Sequence, residues 1–345
     1  MRTIVAMSGG IDSSTAAYLL LGEGHEVVGL TLRMWRVERG ASADELVERA
    51  AAICRVLGIE HVVVDVSDEF EKRIVQPFCR QYARGRTPNP CIECNKFMKF
   101  PSLWAEAQRR GAQKIATGHY ARVVETEAGR FHLRKGLDET KDQSYLLYSL
   151  SQEMLPRIVF PLGEWRKKDT REKAREFWPW PELPPESQEI CFLQDFDYAP
   201  FVGGREATKP GVIVDTAGNV LGRHDGVHNF TIGQRRGLGF AAGKPLYVVR
   251  IDPTTSTIVV GDRSETYRKE FIVTNVNWCS VPPSDEPRKA MVKIRYTHPP
   301  AEADLRPEPD GSILVTFAEP QHAVTPGQSA VFYDGDVVLG GGIIG

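Results

Sequence analysis

The residues of this 345-residue chain that could do chemistry fall first in a glycine- and serine-rich stretch near the N-terminus. Residues 6–14 follow an apolar run and precede residues 15–21, so they are predicted to join a buried strand to a helix. Gly9 and Gly10 would let the backbone approach a phosphate, towards which the amides of the helix N-terminus would point. Ser8, Ser13 and Ser14 add hydroxyl donors, and Asp12 would hold a magnesium ion through water. The sequence therefore predicts an anion site.

Three of the six cysteines form the second candidate group. Cys91 and Cys94 make a Cys-x-x-Cys pair before a predicted helix, close to Lys96 and Lys99, so we expect lowered pKa values and partly ionised thiols. Such a pair is typical of a redox site or half a zinc site, and no second pair completes a four-cysteine zinc site. Cys191 follows a proline-rich connector, in a position suited to a loop that swings onto the anion site.

The elements that must position these groups alternate between strand and helix in the first half of the chain. Strands are predicted at residues 3–7, 26–35, 61–66 and 114–117, and helices at residues 15–21, 44–57, 68–84 and 100–110. This alternation predicts a parallel sheet covered on both faces, with ligands at the carboxyl ends of its strands. Further on, we predict a hairpin at 122–135, helices at 142–154 and 166–178, and a stiff connector at 179–186. Short β-rich segments from about residue 211 predict one or two small β domains.

Composition places the chain among ordinary globular proteins, with 41% hydrophobic and 26% charged residues. No apolar run is long enough to span a membrane and no signal peptide is recognisable, so a cytoplasmic protein without a membrane partner is expected. Six cysteines are few for a disulfide scaffold of this length, which favours a reducing compartment. A net charge of −2 argues against indiscriminate coating of nucleic acid, and DNA is not expected as a partner.

The N-terminal loop lacks the lysine of a Walker A loop and resembles the SGGxDS loop of N-type ATP pyrophosphatases, which adenylate an oxygen atom and release pyrophosphate. Three motifs together resemble those of the tRNA-specific 2-thiouridylases, the MnmA/TrmU family. They are this loop, Asn-Pro-Cys-x-x-Cys-Asn at 89–95 and Ser-Gln-Glu-Ile-Cys at 187–191. The likeness continues through residues 117–122, 141–147 and 231–239 and covers nearly the whole chain.

The resemblance implies ATP-dependent 2-thiolation of the wobble uridine in tRNAs for lysine, glutamate and glutamine. The C2 oxygen would be adenylated, and sulfur would then displace AMP. The implied fold class is α/β. A parallel-sheet ATP pyrophosphatase domain (PP-loop, adenine nucleotide alpha hydrolase-like) would occupy residues 1–200, a central β-rich tRNA-binding domain 205–265 and a C-terminal β-barrel 268–345. The implied cofactors are ATP and Mg²⁺, and the implied partners are tRNA and a sulfur donor, either a persulfide relay protein or free sulfide.

The resemblance also assigns roles to individual residues. The implied ATP contacts are Ala6, Met7, Ser8, Gly9, Gly10, Ile11, Asp12, Ser13, Leu32 and Gly118. The implied tRNA contacts are Asn89, Pro90, Cys91, His119, Lys141, Asp142, Gln143, Arg295, Tyr296 and Gln328. Cys94 would be the nucleophile and Cys191 the carrier of a persulfide. The basic run at residues 166–168 is expected to face water or to attract the tRNA backbone.

Cys91 departs from the family pattern, because many members have at this position an aspartate that is proposed as an acid/base group. Together with Cys94 and Cys191 it would hold three irons of a 4Fe–4S cluster and leave the fourth iron open for sulfide, which is the interpretation we favour. The competing interpretation keeps a persulfide on Cys191, with Cys94 as the resolving thiol and Cys91 as a spare thiol. Two further classes stay open: a PP-loop amidotransferase-like ligase acting on a metabolite, and a non-enzymatic RNA-binding or iron–sulfur carrier protein.

Overall fold

The computed structural model of the protein describes residues 1–35, 43–185, 190–193, 197–240 and 243–345. The strands in these ranges are β1 (Arg2–Ala6), β2 (Glu26–Arg33), β3 (Glu60–Asp65), β4 (Lys114–Ala116), β5 (Ala121–Glu125), β6 (Phe131–Lys135), β7 (Ile158–Val159), β8 (Gly211–Asp215), β9 (Val220–His224), β10 (Tyr247–Asp252), β11 (Thr257–Gly261), β12 (Tyr267–Asn277), β13 (Arg288–Lys293), β14 (Ala301–Pro307), β15 (Ile313–His322), β16 (Ser329–Asp334) and β17 (Val337–Ile344). The helices are α1 (Ile11–Gly22), α2 (Ala43–Leu57), α3 (Ser67–Phe70), α4 (Gln76–Ala83), α5 (Pro90–Cys94), α6 (Phe100–Arg109), α7 (Lys167–Ala174) and α8 (Tyr198–Gly203). Wide helical turns at Glu71–Val75 and Asn95–Lys99 carry α3 into α4 and α5 into α6.

The first half of the chain is organised by a five-stranded parallel sheet of order β3-β2-β1-β4-β7. Alternate residues of its central strand enter different cores, because successive side chains of a strand point to opposite faces. Ile4 packs in a core with Leu103 of α6, whereas Val5 packs in another with Leu20 of α1 and Ile53 of α2. The predicted parallel sheet with both faces covered is therefore confirmed.

Two β structures follow. The first is a four-stranded sheet of order β10-β11-β8-β9. The second is a barrel of order β12-β15-β14-β13-β16-β17, closed by pairing of β17 with β12. The β5–β6 hairpin joins the barrel through a pair between Arg134 and Val337, so the first half of the chain is tied to its C-terminal end. The predicted C-terminal β-barrel is confirmed. Within the described ranges, no helix is long and apolar enough to cross a membrane.

The helix predicted at residues 142–154 is wrong. The chain forms one short 3-10 turn there, at Ser144–Leu146, and a second one directly after this range, at Leu155–Arg157. The Asp142 carboxylate accepts hydrogen bonds from the backbone amides of Gly136 and Ser144, which holds the segment in a turn. The Tyr145 hydroxyl donates to the Ser329 carbonyl of the barrel at 2.8 Å. Contacts to the hairpin and the barrel therefore replace the single apolar face of a helix.

One further predicted helix differs in extent, and the predicted connector does not. Helix α7 ends at Ala174 rather than at residue 178, and the connector up to residue 185 contains no helix or strand, as predicted. The last residue of that connector, Glu186, and the Ser-Gln-Glu part of the cysteine motif lie outside the described residues. Strands β7, β9, β14 and β17 were not predicted from the sequence. Strand β17 contains Gly340, Gly341 and Gly342, which pack directly on neighbouring backbone.

Candidate active site

The N-terminal loop connects β1 to α1 as predicted. Gly9 has a φ of +73°, and a Cβ atom there would lie 2.9 Å from the Leu46 carbonyl oxygen, so the position requires glycine. The Ser13 hydroxyl accepts a hydrogen bond from the Ser8 amide at 3.2 Å, and Ser14 donates to the Gly10 carbonyl at 2.7 Å. These bonds hold the loop compact around the N-terminus of α1, where backbone amides favour an anion.

The loop opens into a cavity of about 350 Å³ at the carboxyl ends of β1, β2 and β4. Seven of the predicted ATP contacts line it: Ala6, Met7, Ser8, Asp12, Ser13, Leu32 and Gly118. Gly9 and Gly10 shape the loop without lining the cavity, and Ile11 is buried in the core between the sheet and α1. An apolar wall is formed by Leu30, Leu32, Met34, Trp35, Leu46 and Val47. A polar loop beside an apolar wall suits a nucleotide, with phosphates on one and a base on the other.

Gly118, just after β4, allows the end of this strand to lie directly against the phosphate loop. A Cβ atom at this position would lie 2.6 Å from the Asp12 carbonyl carbon and 2.7 Å from the Ser13 amide nitrogen. The next residue, His119, is buried, and its Nδ1 lies 2.6 Å from the Thr117 hydroxyl. Burial, reinforced by the positive charge of Lys99, holds the pKa of His119 well below its usual range. The imidazole facing this cavity is therefore neutral at physiological pH.

Lys167 corrects the expectation for the basic run at 166–168. Its side chain is only 12% exposed, and its ammonium lies 2.7 Å from each oxygen of the Asp12 carboxylate. The Tyr120 hydroxyl donates to the same carboxylate at 2.9 Å. Lys167 thus belongs to the phosphate loop rather than to a solvated helix face. The 155 positions between the two residues hid this contact from sequence reasoning.

The Cys-x-x-Cys pair lies on α5, whose first turn is capped by Asn89. The Asn89 side-chain oxygen accepts hydrogen bonds from the backbone amides of Cys91 and Ile92. Cys94 is 7% exposed, and its sulfur lies 3.7 Å from the sulfur of Met34, a residue of the cavity wall. Cys191 itself lines the cavity and is reached by solvent from it. The structure therefore places the predicted persulfide carrier in the predicted nucleotide site.

The expectation of lowered thiol pKa values is wrong. Burial raises the pKa of Cys91 and Cys94, and it outweighs the opposing charge of Lys99. Cys191 is exposed as a residue, but the protein around its sulfur removes part of the hydration of that atom, and this desolvation, with smaller contributions from the charges of Cys94 and Cys91, raises the pKa of Cys191 to about 12. Lys96, which was also expected to lower these pKa values, is exposed, and its ammonium lies 5.1 Å from the centre of the Phe97 ring.

The three cysteines do not fit a metal cluster as they stand in this structure. Cys191 feels the charges of Cys91 and Cys94, so the three thiols share one neighbourhood. Within the described part of the chain, however, no three His, Cys, Asp or Glu side chains are close enough together to hold a metal ion. Neither the iron–sulfur cluster nor a zinc site is supported by this geometry.

The predicted tRNA contacts divide between the cavity and the barrel. His119 and Gln143 line the cavity. Gln328 reaches from the barrel to the segment before α5, where its side-chain amide donates to the Thr87 carbonyl at 2.9 Å. Tyr296 is 37% exposed, beside Arg295 on the barrel.

Asp142 is different, because its carboxylate is buried among the hydrogen bonds of its own turn. Asn89 and Pro90 form the start of α5, and Lys141 lies half-buried in the turn before Asp142. The contacts of all these residues with tRNA stay predictions.

Three protein-family models match the chain. A tRNA methyl transferase HUP domain matches residues 1–195, a tRNA methyl transferase PRC-barrel domain matches 199–262, and an aminomethyltransferase beta-barrel domain matches 268–344. Among curated relatives, the tRNA-specific 2-thiouridylase MnmA of Acetivibrio thermocellus is 45% identical, over 99% of this chain and 99% of the relative. Proteins of the same name from Trichormus variabilis and Clostridioides difficile are 46% and 41% identical, each over 99% of this chain and 98% of the relative.

Proposed function

The chain belongs to the family of tRNA-specific 2-thiouridylases named MnmA, and we propose that it uses ATP to replace the C2 oxygen of a tRNA uridine by sulfur. It is a tRNA sulfurtransferase. One observation carries the proposed chemistry: Cys191 lines the same cavity as Ser8, Asp12 and Ser13 of the phosphate loop. A sulfur carrier beside a nucleotide site is the arrangement that activation followed by displacement requires.

The first step is adenylation of the base. The uracil C2 oxygen attacks the α-phosphorus of ATP, the bond from phosphorus to the β-phosphate oxygen breaks, and pyrophosphate leaves. The amides of the N-terminal loop and the hydroxyls of Ser8 and Ser13 would bind the departing phosphates. Mg²⁺, held by the triphosphate and by Asp12, would neutralise negative charge on the pyrophosphate. In this structure the Asp12 carboxylate pairs with Lys167, so it would have to contact both Lys167 and the metal ion.

The second step delivers sulfur, and we propose the persulfide route because the cysteines do not fit a cluster. A donor persulfide exchanges with the Cys191 thiol, leaving a persulfide on Cys191. Its terminal sulfur attacks C2, the C2–O bond breaks and AMP leaves. The Cys94 thiolate then attacks the Cys191 sulfur and breaks its bond to the transferred sulfur, which stays on C2. A Cys94–Cys191 disulfide results, and an external dithiol reduces it.

The finer assignments rest on the family likeness. We propose that the target is the wobble uridine of tRNAs for lysine, glutamate and glutamine, and that the reaction takes place in the cytoplasm. We also propose a catalytic domain at 1–200, a central tRNA-binding domain at 205–265 and a barrel domain at 268–345, a division that the spans of the three family models support. Gln328 supports a role for the barrel, since it anchors the segment that leads into Asn89.

The test is reconstituted thiolation of unthiolated tRNA with ATP, Mg²⁺ and a persulfide donor, scored as 2-thiouridine by mass spectrometry. Cys94→Ser and Cys191→Ser should abolish the product, whereas Cys91→Ala should retain it within about threefold, because Cys91 has no step in the persulfide route. Iron and acid-labile sulfide are measured in anaerobically purified protein. If Cys91→Ala loses both thiolation and bound iron, the persulfide route is wrong and sulfur is delivered by an iron–sulfur cluster. Pyrophosphate exchange that needs an acidic metabolite and no tRNA would instead indicate a ligase.

A further inference from the structure

Lys99 occupies a position that the reaction as described does not use. It ends the wide turn Asn95–Lys99, which leads from the helix of Cys94 into α6, so the same stretch of helix positions the lysine and the thiol. The side chain is half-buried and lines the nucleotide cavity together with Ser13 and Cys191. Lys99 therefore presents a positive charge to the space between the phosphate loop and the sulfur carrier.

The Lys99 ammonium differs in its partners from Arg33, which also lines the cavity, and from Lys167, which lies beside the cavity on Asp12. Arg33 pairs with Asp44 at 2.9 Å, and Lys167 pairs with Asp12 at 2.7 Å. Across the ranges that the structure covers, no carboxylate lies within 4.0 Å of the Lys99 ammonium, and its side chain makes no hydrogen bond. A half-buried charge without a counter-charge is costly unless a ligand supplies one. Lys99 is therefore expected to bind an anionic group of a ligand in this cavity.

The neighbours of Lys99 indicate which anion this is. Lys99 lies on the thiol side of the cavity, because it follows Cys94 on the same stretch of helix. Its positive charge opposes the rise in pKa that burial causes at Cys94 and Cys191, and it adds to the fall in the pKa of His119. Lys167, in contrast, holds the carboxylate of the phosphate loop. In adenylation followed by displacement, the β- and γ-phosphates leave towards the loop, and the α-phosphate stays next to the carbon that sulfur attacks. The α-phosphate is the anion that must lie between loop and thiols.

We infer that Lys99 is a catalytic residue whose ammonium binds a non-bridging oxygen of the α-phosphate. The α-phosphorus loses its bond to the pyrophosphate oxygen and gains a bond to the uracil oxygen. During this exchange Lys99 stabilises the negative charge on the non-bridging oxygen of the α-phosphate. The same contact continues in the adenylated tRNA and assists the departure of AMP. No proton transfer is required of Lys99, because it acts as a fixed positive charge. This inference rests on the proposed function, in which an adenylated tRNA is formed.

The experiment compares wild type with Lys99→Met, Lys99→Arg and the matched control Lys96→Met. Lys96 is three residues away in the same turn but exposed, and it lies over Phe97 outside the cavity. The substrates are ATP and the two diastereomers of its α-phosphorothioate, and pyrophosphate release is measured with saturating tRNA. Lys99→Met should slow release from ATP about 100-fold, as for loss of one transition-state donor, with partial recovery in Lys99→Arg. Lys96→Met should match wild type.

The diastereomers test the contact itself. Wild type should prefer one diastereomer by about tenfold or more, because sulfur in place of the contacted oxygen weakens the bond to the ammonium. Lys99→Met should lose this preference and Lys96→Met should keep it. An unchanged preference in Lys99→Met, or none in wild type, would overturn the inference.

A purely structural role is separated by thermal unfolding. Lys99→Met should unfold at or above the wild-type temperature, since it removes a half-buried charge that has no carboxylate partner among the residues the structure describes. A fall of several degrees would count against a catalytic role. The proposed function fails separately, if wild type releases no pyrophosphate when tRNA is supplied.

Discussion

Replacement of Gly118 by alanine is expected to displace the phosphate loop while leaving the fold intact. The added Cβ would lie 2.6 Å from the Asp12 carbonyl carbon, whereas ordinary contacts begin at 3.4 Å, so the loop must retreat by about 0.8 Å. The obstructing atoms are backbone of Asp12 and Ser13, which no side-chain rotation can move aside. Overpacking of this kind costs about 1–3 kcal/mol of stability. A displacement near 1 Å in a catalytic site costs roughly 100-fold in rate.

The assay is pyrophosphate release with saturating tRNA, together with ATP affinity by calorimetry and thermal unfolding. Gly22→Ala is the matched control, because Gly22 ends the same helix and an added Cβ there meets nothing within 4 Å. Gly118→Ala should lose about two orders of magnitude in release and bind ATP more weakly, whereas Gly22→Ala should behave as wild type. Wild-type ATP affinity and rate in a folded Gly118→Ala protein would refute the assignment of this contact to the nucleotide site.

Three further predictions concern charge, pH and docking. Lys167→Met should slow pyrophosphate release at least about tenfold, because the Asp12 carboxylate loses a charged hydrogen bond. Lys168, whose side chain is 83% exposed, is the control, and Lys168→Met should release pyrophosphate at the wild-type rate. Equal rates in the two variants would contradict a role for the Lys167–Asp12 pair in this step. His119 has a folded-state pKa well below 6.5, so its destabilising effect is absent above pH 6.5 and grows as the pH falls. The destabilisation by His119 should therefore increase as the pH falls from 7.5 to 5.5, so the melting temperature of His119→Gln should fall less than that of wild type over this interval. Gln328→Ala should raise the KM for tRNA about fivefold, because one hydrogen bond of about 1 kcal/mol to the segment before α5 is lost. The affinity for ATP, measured by calorimetry, should not change. An unchanged KM for tRNA would exclude a role for Gln328 in tRNA docking.

Elements with strong local signals were predictable because the signal and the structure concern the same few residues. The loop over residues 6–14 needs only an apolar run before it, its glycines and an apolar helix after it, and the structure forms it between β1 and α1. The parallel sheet was predictable from the alternation of strand and helix segments along the first half of the chain. The hairpin predicted at 122–135 is formed by β5 and β6, and its turn contains Gly129, where φ is +72°.

Segments whose conformation depends on distant partners were mispredicted. Residues 142–154 carry apolar side chains at spacings that a helix would accept, but Tyr145 bonds to Ser329 of the barrel and the segment turns instead. Strand β17 was missed because its glycines give no strand signal; the strand exists because it closes the barrel against β12. In both cases tertiary contacts override local preference.

The sequence by itself determined which groups are available: a phosphate loop, two cysteines spaced for one helical turn and a third beyond a proline connector. Only the tertiary structure decided their electrostatic state. The pKa of Cys94 is raised rather than lowered, because the core that forms around it removes water, and burial is not a property of neighbours along the chain. Folding likewise brought Lys167 of α7 to Asp12 of the phosphate loop, far apart in sequence, and it placed Lys99 where no carboxylate of the described residues lies within 4.0 Å of its ammonium.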